Sequence, residues 1–215
     1  MSFEFMADLD AYFCEKYANY DKICMLPGYR MPKMQDTRTD EFGRTFSYTL
    51  PAETMRIALQ ENKAEMLAHL KQHVTDKGFS FSFRPLGVFA QIRDTFAKAS
   101  FRKWAKIVFP KYGLTMETAN EGVAIDAGIW KKICKGKYYP TKNLVFSLAL
   151  VHGISFEDTT ALLSVCDTAF DFTQVRDVVI SYLLTKKIVN RAMREAAFQE
   201  YGVSNLFIEG DNTEV

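Results

Sequence analysis

The sequence predicts a mainly α protein, a multi-helix bundle with a small two-stranded β element in its N-terminal half. Apolar side chains recur at steps of three and four residues, the spacing of one helical face. Small polar residues precede these apolar runs and glycines follow them, as at the starts and ends of helices. With 215 residues and 48% hydrophobic content, the chain can also bury a substantial core.

The first predicted helix lies in "FEFMADLDAYFCEKYANY", where apolar residues at steps of four are Phe5, Leu9, Phe13 and Tyr17. Residues 25–50 then contain two prolines and two glycines, which interrupt any long element. A loop of that length is uncommon in a compact domain. We therefore expect it either to be functional or to contain a short strand such as "RTFSYTL".

A second helix is predicted from Pro51, which suits a first helical turn, to Gly78, which can end a helix in the left-handed conformation. Its apolar face would contain Met55, Leu59, Met66, Leu70 and Val74. Phenylalanine then alternates with serine over Phe79–Phe83. This period of two predicts a short strand that pairs with "TFSYT".

The C-terminal half is predicted to contain about six or seven packed helices, between residues 90 and 206. The predicted stop residues there are Gly113, Gly136, Gly153 and Gly202, and the predicted N-caps are Thr115, Asp126, Thr141, Ser155 and Asn190. We divide the chain into an N-terminal helical domain of unknown role (residues 1–98), a helical domain (99–206) and an acidic flexible tail (207–215).

The formal charge of +1 provides no overall attraction to nucleic acid or to an anionic membrane. Residues 100–206 hold 14 Lys and Arg against 10 Asp and Glu, so positive charge is in local excess. No apolar run of membrane-spanning length and no secretory leader is present, which predicts a cytoplasmic protein without membrane contact. The cysteines have no metal or redox spacing, and no cofactor is expected; they are Cys14, Cys24, Cys134 and Cys166.

The stretch "GLTMETANEGVAIDAGIWKKICKGK", residues 113–137, resembles without a gap the helix-turn-helix of Cro/CI-type (lambda-repressor-like) regulators. The likeness continues through "YYPTKNLVFSLALVHGISFEDTTALL", since that family follows its recognition helix with an aromatic-proline turn, an apolar fourth helix and a capped fifth helix. Residues 100–206 also resemble a helical domain at the C-terminus of some bacterial macrodomain proteins. We identify no resemblance for residues 1–99.

The resemblance implies a helix-turn-helix core whose second helix opens at Gly113-Leu114-Thr115 and whose recognition helix follows Asp126. Such a recognition helix lies in the major groove, and flanking groups hold phosphates. We therefore expect a noncatalytic nucleic-acid-binding or regulatory protein, with double-stranded DNA as the first candidate partner. The expected phosphate contacts are Lys131, Lys132, Lys135, Lys137 and Lys142.

Base readout is expected to be weak, because Ala127 and Gly128 occupy the outward start of the recognition helix, where donors or acceptors are needed. Met116 also stands where the family commonly has a glutamine. The lysines could equally be the solvated face of a fold reused for protein contacts. The alternative is therefore a protein–protein interaction module, or an accessory subunit of a phage-defence or counter-defence system.

No enzyme or metal site is expected. Glu65, His69 and His73 share one predicted helical face, but the H-E-x-x-H pattern is absent and a solvated face is the simpler interpretation. No phosphate-binding loop or nucleophile elbow occurs. The polar residues of the 25–50 segment are interpreted as an exposed charged loop; they are Asp36, Arg38, Asp40, Glu41 and Arg44.

Two further surfaces stay open. The aromatic residues between Phe79 and Phe109 are expected to pack in a core, with a stacking face for RNA or a single strand as the alternative. Basic residues interleave with them, namely Arg84, Arg93, Arg102, Lys103 and Lys106. A homodimer could form through the apolar helices at Phe172–Leu184 and Met193–Tyr201, because helix-turn-helix regulators often bind paired half-sites.

Overall fold

Helices dominate the computed structural model, which describes residues 2–17, 35–49, 67–68, 83–90, 100–204 and 206–208. The predicted mainly α class is confirmed. The helices that lie entirely within these ranges are α1 (Ser2–Lys16), α2 (Phe101–Val108), α3 (Ala127–Cys134), α4 (Lys142–His152), α5 (Phe156–Ser164), α6 (Val175–Thr185) and α7 (Arg191–Glu200), and a 3₁₀-helix (Phe109–Tyr112) continues α2. Within these ranges, no helix has the length and apolar character needed to cross a bilayer.

Local capping signals explain where most of these helices begin and end. Side chains of four predicted caps accept hydrogen bonds from first-turn N–H groups; these caps are Asp126, Thr141, Ser155 and Asn190. The four predicted stop glycines all have positive φ, between 60° and 69°. The prediction of short capped helices in the C-terminal half is thus confirmed for these elements.

The core is built around α6, which is buried from Val175 to Leu184. It contacts α1, α4, α5 and α7. Helix α7 buries Ala197 and Phe198 in the same core. The apolar residues that we considered for a homodimer interface are therefore largely used within the chain, and a homodimer stays a prediction.

Helix α1 belongs to this core rather than to a separate N-terminal domain. Its predicted face is confirmed, because Phe5, Leu9, Phe13 and Tyr17 are all buried. The hydroxyl of Tyr182 in α6 donates a 2.9 Å hydrogen bond to Asp8, and that of Tyr201 donates a 2.6 Å hydrogen bond to Asp10. The boundary predicted at residue 98 thus does not separate α1 from the C-terminal helices.

The β element is a hairpin of β1 (Gln35–Thr39) and β2 (Thr45–Thr49), with Gln35 opposite Thr49. The carboxylate of Asp40 shapes the turn by accepting hydrogen bonds from the backbone N–H groups of Phe42 and Arg44, both at 2.9 Å. The predicted strand "TFSYT" is confirmed, but its described partner is β1 rather than the segment at 79–83. Residues 79–82 lie outside the described ranges, as does the predicted helix from 51 to 78 except for the helical pair at 67–68.

The chain end also differs from the prediction. Phe207 and Ile208, which we expected in the flexible tail, are 4% and 2% exposed. The N–H of Phe207 donates to the Ser147 hydroxyl at 2.9 Å, and its carbonyl accepts from the Ala124 N–H at 3.0 Å. Their apolar side chains favour burial over extension into solvent. Residues 209–215 of the predicted tail lie outside the described ranges.

Candidate nucleic-acid interface

Helix α3 is seated by its inward residues, as the sequence predicts. The Asp126 carboxylate accepts from the Ile129 N–H at 2.9 Å and caps the helix. Trp130 and Ile133 are 5% and 2% exposed. The indole N–H of Trp130 donates to the Met116 carbonyl at 2.8 Å, which satisfies the one polar atom of a buried ring. The helix is thus held at its start and along its inner face.

The segment before α3 is not the helix that the resemblance implies. Residues 114–126 form successive turns and no α-helix. The carbonyl of Ala119, which would accept a bond within a helix, accepts the 2.8 Å contact of His152 Nε2, and Gly122 has φ of 73°. The Thr115 hydroxyl accepts from the Glu117 and Thr118 N–H groups, so it caps a turn and opens no helix. The predicted second helix is therefore wrong.

Four of the five predicted phosphate contacts lie together at the C-terminal end of α3 and in the loop after it. Lys131, Lys132, Lys135 and Lys137 are all exposed. In the described ranges, none of them forms an ion pair. We call these four residues the lysine cluster. No described carboxylate therefore neutralises their charges, although the Lys132 ammonium lies 5.2 Å from the centroid of the Tyr138 ring.

Lys142 does not join the lysine cluster. It is the first residue of α4, and its ammonium is ion-paired with the Asp177 carboxylate in α6. The Lys142 side chain is 25% exposed and that of Asp177 is 4% exposed. A lysine that neutralises a buried carboxylate is not available to a phosphate, because its departure would leave the carboxylate unpaired.

A short backbone ladder brings Arg84 to the lysine cluster. Pro85 and Tyr138 form an antiparallel bridge, in which the N–H of Leu86 donates to the Lys137 carbonyl at 2.8 Å and the N–H of Tyr139 donates to the Arg84 carbonyl at 3.1 Å. Proline is tolerated because residues of a non-hydrogen-bonded pair need no N–H donor. The Arg84 side chain is exposed. In the sequence, Arg84 lies among aromatic residues. No local pattern indicates this pairing, because its partners are more than fifty positions apart.

One acidic residue lies close to this surface. This residue is Glu117, and its charge acts on Cys134. Burial of the thiol raises the pKa of Cys134 to about 11, with the charge of Glu117 as the second cause. The thiol is therefore protonated at neutral pH. Glu117 is exposed and offsets part of the local positive charge. The surface is basic, with five cations in the lysine cluster and Arg84, but moderately so.

The remaining candidates add no second site within the part of the chain that the structure describes. Glu65, His69 and His73 lie outside the described ranges, and the residues inside them contain no cluster of His, Cys, Asp or Glu suited to a metal. Asp40 is used in the hairpin turn. Of the aromatic residues considered as a stacking face, Phe101 and Phe109 are buried, as expected for core positions, whereas Phe89 is 90% exposed.

No family model, curated protein or solved structure matches this chain. The helix-turn-helix resemblance therefore stays a prediction.

Proposed function

We propose that the protein is a noncatalytic nucleic-acid-binding or regulatory protein that holds phosphates through the lysine cluster and Arg84. The observation that carries the proposal is a set of exposed lysines at the end of α3 and in the loop after it, which form no ion pair with any described residue, next to a helix whose inner face is fixed. Lysine ammonium groups in such positions attract the phosphate backbone irrespective of sequence.

The geometry favours phosphate contact over base readout. The cluster occupies the last turn of α3 and the loop beyond it, while the first turn carries Ala127 and Gly128. A Cβ at Gly128 would lie 3.0 Å from the capping oxygen of Asp126, so even a small side chain there disturbs the cap. A nonspecific grip of four or five phosphates corresponds to a Kd of about 10⁻⁴–10⁻⁶ M at physiological salt. We expect a protein that holds DNA without selecting a sequence.

Fluorescence anisotropy with a labelled DNA duplex at low salt tests the proposal. The variant Lys131→Glu with Lys135→Glu is expected to abolish binding. The charge-matched control, Lys106→Glu with Lys187→Glu, changes two exposed lysines outside the cluster and is expected to bind like the wild type. Equal loss in both double variants would contradict a role for the lysine cluster, and absence of binding by the wild type would exclude duplex DNA as the ligand.

One observation favours a second candidate function, docking to another protein subunit. Val88 and Phe89 are adjacent, and they are 71% and 90% exposed. Neighbouring apolar side chains at such exposure are typical of interaction sites. Copurification from the native host, followed by native mass spectrometry, should detect a stoichiometric partner that Phe89→Ser removes. If the variant retains that partner, or none exists, this candidate fails.

A further inference from the structure

Two consecutive tyrosines after the lysine cluster have different surroundings. The ring of Tyr138 is partly buried against the core, and the Lys132 ammonium lies 5.2 Å from its centroid. Tyr139 is 40% exposed, and within the described ranges its ring contacts no other ring and no cation. Tyr138 thus supports the surface, whereas Tyr139 is partly exposed to solvent.

The backbone fixes the place of Tyr139 beside Arg84. These two residues stand directly opposite each other in the ladder, joined by the 3.1 Å bond from the Tyr139 N–H to the Arg84 carbonyl. Directly opposite residues project from the same face, with Cβ atoms about 5 Å apart. Lys137, two residues before Tyr139, is exposed and has no ion pair in the part of the chain that the structure describes. A partly exposed aromatic residue therefore lies on the same face of the ladder as Arg84 and Lys137.

We propose that Tyr139 stacks on an unpaired base of single-stranded DNA, while Arg84 and Lys137 hold the phosphates on either side. This inference rests on the proposed function for its phosphate contacts and adds a contact to a base. Stacking on an aromatic ring tolerates every base, because each base has a π-face, so it adds affinity without adding sequence choice. In a duplex the base faces are covered by neighbouring base pairs. The site therefore prefers a single strand to a duplex.

Charge complementarity favours single-stranded DNA over an apolar protein segment as the ligand of this site. The neighbours of Tyr139 across and along the ladder are Arg84 and Lys137, both exposed and basic. An apolar segment would cover these charges without compensating them, which costs free energy. A single strand supplies both the anionic backbone and the flat apolar face.

Anisotropy titrations at low salt with three labelled ligands test the inference: an oligo-dT strand of about 15 nucleotides, an abasic strand of equal length and charge, and a matched duplex. The wild type is expected to bind oligo-dT more tightly than the abasic strand. Tyr139→Ala should weaken oligo-dT binding about fivefold or more. Its affinity for the abasic strand and the duplex should change by less than about twofold.

Two further variants separate the effect of ring stacking from that of side-chain volume. Tyr139→Phe keeps the ring and should bind oligo-dT like the wild type, whereas Tyr139→Leu keeps apolar volume without a ring and should behave like Tyr139→Ala. Circular dichroism and thermal unfolding of each variant establish that the fold is intact. The exposed position of the side chain makes a large loss of stability unexpected.

The two proposals fail in different ways. If oligo-dT binding depends on Lys131 and Lys135 but is unchanged in Tyr139→Ala, the stacking inference is wrong and the phosphate proposal stands. A wild type that binds duplex at least as tightly as oligo-dT also overturns the single-strand preference. If neither ligand binds, both proposals fall together.

Discussion

The ammonium of Lys142, at the start of α4, is ion-paired with the carboxylate of Asp177, near the start of α6. The same carboxylate oxygen accepts the N–H of Asp171 at 2.6 Å. Burial raises the pKa of Asp177, and the hydrogen bonds from Lys142 and Asp171 only partly oppose it. Lys142 therefore makes a structural contact that ties together two helices of the core.

Lys142→Ala is expected to lower the free energy of unfolding by about 3 kcal/mol, because it leaves a buried carboxylate without its counter-charge. Adding Asp177→Asn should recover part of the loss, since an amide keeps an acceptor for the Asp171 N–H and carries no charge. Urea unfolding measures both. Lys135→Ala, at an exposed position, is the control and should change stability by less than about 0.5 kcal/mol.

A different result would make Lys142 one of the proposed DNA contacts: a Lys142→Ala variant whose urea midpoint is unchanged and whose duplex binding is selectively weakened. A loss of binding that parallels a loss of folded protein would instead support the structural role.

The salt dependence of duplex binding should report how many lysines of the cluster contact phosphates. Each phosphate neutralised contributes about −0.9 to the slope of log K against log salt. Lys135→Gln should therefore make the slope less steep by about 0.9, at every duplex sequence tested. Lys187→Gln, at an exposed lysine outside the cluster, should leave it unchanged. Equal slopes for wild type and Lys135→Gln would mean that Lys135 contacts no phosphate.

Asp158 links the start of α5 to the 3₁₀-helix and makes stability depend on pH. Burial alone would raise the pKa of its carboxyl, but the hydrogen bonds from Lys111 and Tyr112 prevail and hold that pKa below its ordinary 3.8. The distances are 2.8 Å from Lys111 and 2.9 Å from Tyr112. The carboxylate therefore stabilises the fold above pH 3.8, and this contribution is lost as the pH falls through the lowered pKa.

Asp158→Asn should consequently lower the free energy of unfolding at pH 7 by about 1 kcal/mol. The difference between variant and wild type should narrow as the pH falls below about 4, because the wild-type carboxyl is then protonated as well. Urea unfolding at a series of pH values measures this. Other carboxylates titrate in both proteins, so the difference between the two curves is the relevant quantity. A constant difference from pH 7 to pH 2 would assign Asp158 no electrostatic role.

Features that depend on a few adjacent residues were predictable from the sequence. The caps at Asp126 and Asn190 and the stop at Gly153 each act within one helical turn, where side-chain chemistry and backbone geometry are directly coupled. The inward seam of α3 follows from the same short-range periodicity.

Features that depend on distant partners were not predictable in this way. The helix expected after Thr115 is replaced by turns, and its backbone groups bond to His152 and Phe207 instead. The bond from Tyr182 to Asp8 joins residues 174 positions apart and draws α1 into the core. The candidate site shows the same division. Local spacing predicted the lysine cluster, whereas the position of Arg84 beside it and the ion pair of Lys142 with Asp177 depend on the fold.

The start of α3 offers the last prediction. Glycine is worse than alanine inside a helix by about 0.5–1 kcal/mol, yet position 128 holds glycine. A Cβ there would stand 3.0 Å from the Asp126 oxygen that accepts the Ile129 N–H. Gly128→Ala should thus displace a cap worth about 1 kcal/mol, and the two effects should nearly cancel. In the Asp126→Ala background no cap is left to disturb.

In the Asp126→Ala background, Gly128→Ala should stabilise the protein by about 0.5–1 kcal/mol. The coupling between the two substitutions, measured by urea unfolding of the four proteins in a double-mutant cycle, is therefore expected to be about 1 kcal/mol. Equal effects of Gly128→Ala in both backgrounds would show that the cap does not require glycine. A coupling of the expected size would explain why the leading turn of α3 carries no base-reading side chain, since a longer side chain at position 128 would crowd the Asp126 cap that starts the helix.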